Sequence, residues 1–250
     1  KSKFSGLNLH ELCFAKISQS LYFRTPSNIF VSDLREKKGD EETLQNIIKF
    51  KDAGINYQRV NVGLGEKGKS DLGKRLLYSG ERESVEDIEF WKGEDIRSFF
   101  IKKKTYRFVR LNTIKSLKYN ERVILNKDYF SIRPKLIWRQ TAQFPIATID
   151  YKGVWFGRSI QAGILKKEWE KKLSYKYILA LMNSSYIRYL YLQQVKELGR
   201  VFPQIKLEKL KDLPIKIIFP EEQAPFINLV DQVLSIAKDG DYLYNPDRQL

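Results

Sequence analysis

Residues 133–161, RPKLIWRQTAQFPIATIDYKGVWFGRSIQ, constrain the fold more than any other stretch of this chain. Three runs within it, KLIWRQT, PIATID and VWFGRSI, are rich in aromatic and β-branched side chains and predict three antiparallel strands. Asp150-Tyr151-Lys152-Gly153, between the last two runs, predicts a tight turn. This stretch therefore predicts a β-rich core.

The C-terminal part predicts helices. In residues 174–198 apolar side chains recur at helical spacing over a wide stripe, and Ser174 is a suitable N-cap. Residues 221–238 form an amphipathic pattern with acids in the first turn and Lys238 in the last. We expect an α+β fold with a mixed, largely antiparallel core. Residues 1–165 would form the β-rich region and 166–250 a helical and mixed part packed on it, or both would form one continuous domain.

Charge is unevenly distributed along the 250 residues. The chain holds 45 Lys and Arg against 30 Asp and Glu, a net charge of +15. Residues 101–200 carry 22 basic and 6 acidic side chains, whereas residues 1–100 carry 17 and 16, and residues 201–250 carry 6 and 8. A basic block between nearly neutral blocks indicates a polyanionic partner. The alternative is a basic surface that only aids solubility.

Residues 102–111, KKKTYRFVRL, interleave cations with aromatic and apolar side chains. The period of two predicts a strand with one cationic and one apolar face, which suits contact with DNA phosphates. An edge strand kept soluble by lysines is an equal alternative. The residues predicted to hold phosphates are Lys102, Lys103, Lys104, Arg107 and Arg110, and Lys135 is a further predicted DNA contact.

A second group of polar residues lies at predicted strand ends and turns. Arginine can bond guanine with two hydrogen bonds in the major groove, and glutamine can do the same with adenine. The predicted base or groove contacts are Arg139, Gln140, Thr141 and Arg158. Gln204 and Lys206 follow a proline and are expected to fix the register of the DNA backbone.

Residues 63–70, GLGEKGKS, match the P-loop pattern G-x-x-x-x-G-K-S. The flanks do not fit a P-loop, because residues 55–62 alternate like a half-exposed strand and Gly73 falls in the first turn of the required helix. A hairpin over residues 55–78 is an equal interpretation. We expect a loop able to contact phosphate through Lys67, Lys69 and Ser70, with nucleotide binding as an alternative function.

A second alternative function is protein docking through the helix over residues 221–238. Its apolar stripe requires a cover of some kind. The stripe comprises Phe226, Leu229, Val230, Val233 and Leu234.

Several functions are disfavoured by what the sequence lacks. A single cysteine, Cys13, excludes an internal disulfide, and with a single histidine, His10, it argues against a zinc site. No hydrolase or metalloprotease motif occurs, and the nearest nuclease-like set is Asp150 with residues 170–172, EKK. No apolar run approaches the length of a membrane span. Because the chain begins at Lys1, we expect it to be a piece of a longer protein. We expect that protein to be cytoplasmic, and this piece to hold no catalytic or metal site of its own.

Four stretches in order resemble a known family. They are GINYQRVNVGLGEKGKSDLGKRLLY (54–78), FWKGEDIRSFFI (90–101), PKLIWRQTAQFPIATIDYKGVWFGRSI (134–160), and SYKYILALMNSSYIRYLYLQQ through GRVFPQIKLEKLKDLPI (174–215). Together they resemble the C-terminal target-recognition domain of TaqI-like N6-adenine DNA methyltransferases and type IIG restriction–modification enzymes. The resemblance spans roughly residues 50–238.

The resemblance implies a module that recognises a sequence in double-stranded DNA. Catalysis would belong to an upstream methyltransferase domain, which binds S-adenosylmethionine and flips the target adenine. The present residues would hold no cofactor. The parent protein would be a DNA adenine-N6 methyltransferase with or without endonuclease activity. Residues 63–70 would then be a family-typical loop rather than a nucleotide site.

Overall fold

The computed structural model describes residues 40–51, 54–59, 71–125, 127–195 and 203–238. Their strands are β1 (Glu41–Thr43), β2 (Ile48–Lys51), β3 (Asn56–Arg59), β4 (Leu77–Ser79), β5 (Ile88–Trp91), β6 (Arg107–Val109), β7 (Glu121–Ile124), β8 (Lys135–Arg139), β9 (Ala147–Asp150), β10 (Trp155–Phe156), β11 (Ile160–Leu165) and β12 (Pro214–Lys216). Their helices are α1 (Leu44–Ile47), α2 (Leu72–Leu76), α3 (Leu111–Lys115), α4 (Lys127–Ser131), α5 (Tyr175–Met182), α6 (Ser185–Gln194), α7 (Leu207–Lys211) and α8 (Ala224–Lys238). Two 3-10 turns cover Gly93–Asp95 and Pro220–Gln223.

The central sheet has the strand order β2-β11-β8-β9, and every pairing in it is antiparallel. Strand β8 is apolar at successive positions because both of its faces are covered. Leu136 and Trp138 belong to one hydrophobic cluster, and Ile137, on the opposite face, belongs to another. The KLIWRQT run therefore lies between the two hydrophobic clusters.

Helices cover one face of this sheet and a second sheet covers the other. Helices α5, α6 and α8 contribute to the cluster around Trp138, together with residues of α7 and β12. The second sheet has the order β10-β5-β6-β4, with β10 parallel to β5 and the remaining pairs antiparallel. Two ribbons, β1–β12 and β3–β7, complete the described pairing.

A buried ion pair joins the inner strand β8 to the edge strand β9 at one end of the central sheet. Lys135 and Asp150 are register partners, and the Lys135 Nζ lies 2.6 Å from Asp150 Oδ2, with no exposed surface on either side chain. The Asp150 carboxylate also accepts the backbone N–H groups of Lys152, Gly153 and Val154. Burial lowers the pKa of Lys135, and the attraction of Asp150 opposes this shift.

The α+β prediction is confirmed, and the strands predicted over KLIWRQT and PIATID are present as β8 and β9. The prediction that VWFGRSI forms a third strand of the same sheet is wrong. VWFGRSI bends, so that β10 joins the second sheet while β11 begins at Ile160 and pairs with β8. Gly153, at φ 75°, makes the turn after β9, where glycine adopts the left-handed region without strain.

Three other predicted elements differ from the structure. The hairpin over residues 55–78 does not form, because β3 pairs with β7 and β4 with β6. The strand over 102–111 is only three residues long. The helix over 174–198 breaks at Asn183, whose side-chain amide bonds both the N–H and the C=O of Ala147, and Ser184 then caps α6. The predicted Ser174 cap of α5 is confirmed.

The segments before and after residue 165 share the hydrophobic cluster around Trp138. All described residues fall within one compact unit, Asp40–Leu250. Within the ranges given above, every helix is too short or too polar to cross a membrane.

Replacing Lys135 with Met should lower the free energy of unfolding by about 3–5 kcal/mol, because Asp150 would remain as an uncompensated buried charge. The double variant Lys135→Met with Asp150→Asn should recover part of this loss, since it removes that charge and keeps an acceptor for the turn. Urea denaturation measures both values. Lys104→Ala, at an exposed position, is the control and should change stability by less than about 0.5 kcal/mol. Equal losses in the single and double variants would contradict this account of the pair.

Candidate functional site

The cations predicted to form a phosphate-binding strand are largely engaged within the chain. Lys103 pairs with Glu89, Arg107 Nη1 lies 2.9 Å from Asp95 Oδ2, and Arg110 Nη2 lies 2.6 Å from Glu83 Oε1. Residues 102–106 do not continue the strand, so the cations do not share one exposed face. The interleaved pattern is explained by these local ion pairs.

Two of these pairs stabilise the second sheet. Asp95 is 1% exposed, and it accepts hydrogen bonds from the Arg107 guanidinium and from the backbone N–H of Lys92. The Arg110 guanidinium lies 4.1 Å from the centre of the Tyr78 ring while it pairs with Glu83. These contacts fix strand β6 against its neighbours and leave little charge for a ligand.

Two further predicted contacts lie in the interior or at an internal junction. Lys135 has no exposed surface, so it cannot contact DNA in this fold. Arg139 donates from Nε to the carbonyl of Ile96 at 2.8 Å, which links β8 to the 3-10 turn at Gly93–Asp95. Burial lowers the pKa of Arg139, and the charge of Arg97 adds to this effect. Lys104 and Lys206 are exposed, and Lys102 is partly buried.

The remaining predicted base contacts converge at one end of the central sheet with Gln204, which was predicted to fix the register of the DNA backbone. The Gln140 N–H donates to the Ser159 carbonyl at 2.9 Å, and the Gln140 carbonyl accepts from Ile205 N–H at 2.8 Å. Thr141 forms a β-bridge with Gln204. These backbone bonds bring the end of β8, the start of β11 and the segment before α7 together, although these segments are far apart in the sequence.

Their side chains line a cleft of about 740 Å³, which we call the amide cleft. Within the described part of the chain, the lining residues are Phe50, Lys51, Gly54, Asn56, Ile124, Trp138, Gln140, Thr141, Arg158, Ser159, Gln161, Ala162, Gln204 and Leu207. Four of these side chains are amides, two are hydroxyls and two are cations. None of these lining residues is Asp or Glu. The cleft thus offers neutral hydrogen-bond donors and acceptors together with two positive charges. Among its described lining residues, no carboxylate opposes these charges.

Four polar residues of the cleft were missed by sequence reasoning: Lys51, Asn56, Ser159 and Gln161. Lys51 and Asn56 come from β2 and β3, whose packing next to residues 140–162 depends on long-range pairing. Gln161 had a detectable signal, since it is the one polar side chain in the strand IQAGIL. A polar residue within an apolar strand indicates a specific partner or an edge.

Two other predicted features are the phosphate-contacting loop and the apolar stripe of the last helix. Lys67, Lys69 and Ser70, with the whole of residues 63–70, lie outside the described residues. The predicted stripe of the last helix is partly covered, since Val230 is 1% exposed and Leu234 packs on the core, whereas Leu229 is 57% exposed. The phenyl ring of Phe226 packs edge-on against Tyr177.

The nuclease-like set does not assemble as a site. Asp150 is enclosed by Lys135 and three backbone N–H groups, so its carboxylate is fully occupied. Throughout the described ranges, no group of three or more His, Cys, Asp or Glu side chains is arranged to hold a metal ion.

Most of the residues that line this cleft lie in the part of the chain that matches a known protein family. The sequence model of the TaqI-like C-terminal specificity domain matches residues 88–215, just over half of the chain. The chain belongs to this family. The match runs from the start of β5 into β12, so it includes Gln140, Thr141, Arg158 and Gln204. The resemblance drawn from the sequence is thereby confirmed.

Solved structures that are similar to parts of this chain are also found. One is a chain from a structure that describes the complex assembly and conformational transition of the type I R-M system, with 14% identity and a TM-score of 0.35 over 74% of this chain and 40% of that chain. Another is the HsdS subunit from Thermoanaerobacter tengcongensis, with 11% identity and a TM-score of 0.42 over 91% of this chain and 45% of that chain. This TaqI-like specificity domain thus spans less than half the length of these proteins. No curated protein sequence matches it significantly.

Arg107→Ala should lower the free energy of unfolding of this specificity domain by about 2–4 kcal/mol, because buried Asp95 would lose its partner. Arg158→Ala removes the same side-chain type from an exposed position and should change stability by less than about 0.5 kcal/mol. Denaturation by urea with fluorescence detection measures both. A small loss for Arg107→Ala would show that Asp95 tolerates the missing guanidinium and that Arg107 is available for another role.

Proposed function

We propose that this chain recognises a specific sequence in double-stranded DNA for a restriction–modification enzyme, and that the amide cleft supplies the recognising side chains. The observation that carries this proposal is the convergence of four amides and Arg158 in a cleft with no described acid, within a specificity-domain family. DNA bases expose mixed donors and acceptors in the major groove, and amide side chains match that pattern.

The chemistry of the cleft fits bases better than it fits phosphate alone. A phosphate site would require mainly cations and backbone N–H groups. Here Asn56, Gln140 and Gln204 each offer one acceptor and one amino donor. Arg158 adds the fork of donors that fits the two acceptors of guanine. The cleft therefore holds the types of group that distinguish base pairs.

The size of the cleft sets how the duplex would approach. A cavity of about 740 Å³ accommodates a drug-sized molecule and cannot enclose a duplex. Contact would therefore occur at the rim, where Thr141, Arg158 and Gln204 are exposed and where long side chains can extend into a groove. The other polar side chains that line the cleft would contact the bases through its opening.

Phosphate contacts would come from exposed cations around the rim. Lys206 lies two residues from Gln204 and is exposed, and Lys51 lies in the cleft wall. The net charge of +16 over residues 101–200 supplies general attraction to DNA. Such contacts hold and orient the duplex, and they do not select a sequence.

The rest of the enzyme is part of the same proposal. We expect adenine methylation to reside in an upstream domain that binds S-adenosylmethionine, as the resemblance of the sequence implies. Double-stranded DNA and that domain are the proposed partners.

Selection from a pool of randomised duplexes, followed by sequencing of the bound fraction, tests this function. We expect one short sequence to be enriched, with affinity falling steeply between low and high salt. Arg158→Ala should relax the preference at one position by about 1–3 kcal/mol and leave the other positions unchanged.

The matched control is Lys167→Ala. Lys167 is exposed and follows the opposite end of β11, so its removal should weaken all sequences alike or have no effect. Enrichment of no sequence by the unmodified chain would contradict sequence recognition. A uniform loss for Arg158→Ala would contradict its assignment to base contact.

A further inference from the structure

A cross-strand pair lies in the wall of the amide cleft. Trp138 of β8 and Gln161 of β11 are register partners, so their side chains stand side by side on one face of the sheet. The Trp138 Nε1–H donates to Gln161 Oε1 at 2.8 Å. Trp138 is fully buried, whereas Gln161 is partly exposed and lines the cleft. The pair thus connects the core to the cleft surface.

The indole ring is held in place by its neighbours. Phe50 packs against it edge-on, with ring centres 5.6 Å apart and planes at 78°. Gly163, two residues after Gln161, lies beside the ring, because a Cβ there would be in van der Waals contact with Trp138 Cη2 at 3.4 Å. The same Cβ would collide with Ile48, which packs next to the ring. The position of the indole N–H is therefore determined by core packing.

A fixed indole N–H determines the orientation of the Gln161 amide. Tryptophan Nε1 can only donate, so the amide oxygen must face Trp138 and the amino group must occupy the other end. Among the described residues, Gln161 Nε2 donates no hydrogen bond. No described carboxylate lines the cleft to compete for it. Gln161 therefore presents hydrogen-bond donors to whatever occupies the cleft opening.

We infer that Gln161 is a specificity-determining residue and that Trp138 is its positioning residue. This inference rests on the proposed function. The oriented amino group selects a base with a keto oxygen in the major groove, namely O6 of guanine or O4 of thymine. The exocyclic amines of adenine and cytosine present a donor to this donor and are disfavoured.

Gln161→Glu tests the polarity of this contact. The carboxylate still accepts the Trp138 N–H, but the group offered to the base changes from a donor to an acceptor. In selection from randomised duplexes, one position that favours a keto base on the contacted strand should change to the amino base of the same ring type, from guanine to adenine or from thymine to cytosine. The ratio of the two preferences should change by roughly tenfold or more.

Gln204→Glu is the matched control for added charge. It places a carboxylate in the same cleft without an indole partner. Both variants should bind all DNA more weakly, because the carboxylate repels phosphates. Only Gln161→Glu should exchange keto for amino at the position in question.

Trp138→Phe tests the positioning role. It keeps an aromatic ring and removes the N–H, so the amide of Gln161 can rotate and present either end. The same position should then accept keto and amino bases within about threefold of each other. Ile178→Val, at a fully buried site in the same cluster, also removes buried apolar volume and lowers stability. It should leave the base preference unchanged, which separates positioning from general destabilisation.

The outcomes distinguish this inference from the function on which it rests. If the unmodified chain enriches no sequence, both are overturned. If it enriches a sequence and Gln161→Glu enriches the identical one, the role of Gln161 is overturned and the proposed function stands. If Gln161→Glu changes the base but Trp138→Phe keeps full preference, the positioning role alone is overturned.

Discussion

The buried ion pair between Lys135 and Asp150 is the interaction on which the arrangement of the central sheet depends. It joins β8 and β9 at a register position and closes the turn toward the second sheet. Two opposite charges without water are stable only when each has further partners. Here the ammonium also donates to the carbonyls of Phe130 and Ile132, and the carboxylate accepts three backbone N–H groups. The pair contributes specificity of register, because a one-residue slip would leave both charges unmatched.

The other end of β8 leads into the amide cleft. With one end fixed and both faces covered, the strand ends at Gln140 in a set of backbone bonds that recruits residues 159 and 205. The amide cleft is therefore built on rigid strand ends rather than on a free loop. Rigid placement lowers the entropy lost when side chains engage a ligand, which favours discrimination between similar bases.

Sequence reasoning predicted the local features well and the long-range ones poorly. The apolar runs of β8 and β9 and the Ser174 cap are determined by neighbouring residues, so they were predictable. Arg107 and Arg110 looked like a cationic face because their partners, Asp95 and Glu83, lie in other segments. The meeting of β3 with β7 likewise depends on tertiary packing, which periodicity does not encode. Gln140, Thr141, Arg158 and Gln204 were singled out individually, and only the fold shows that they share a cleft.

The cations near the second sheet and those in the amide cleft contribute differently to affinity and specificity. Cations that pair with acids contribute to the stability of the second sheet, and they add little to the attraction of a polyanion at close range. The cleft, by contrast, combines two cations with neutral amides and has no described acid. A neutral donor loses little when it meets a matching acceptor, but a mismatch leaves a desolvated polar group unpaired, at about 1–3 kcal/mol. Discrimination by amides therefore acts mainly through the penalty for the wrong base, while the surrounding lysines hold any sequence alike.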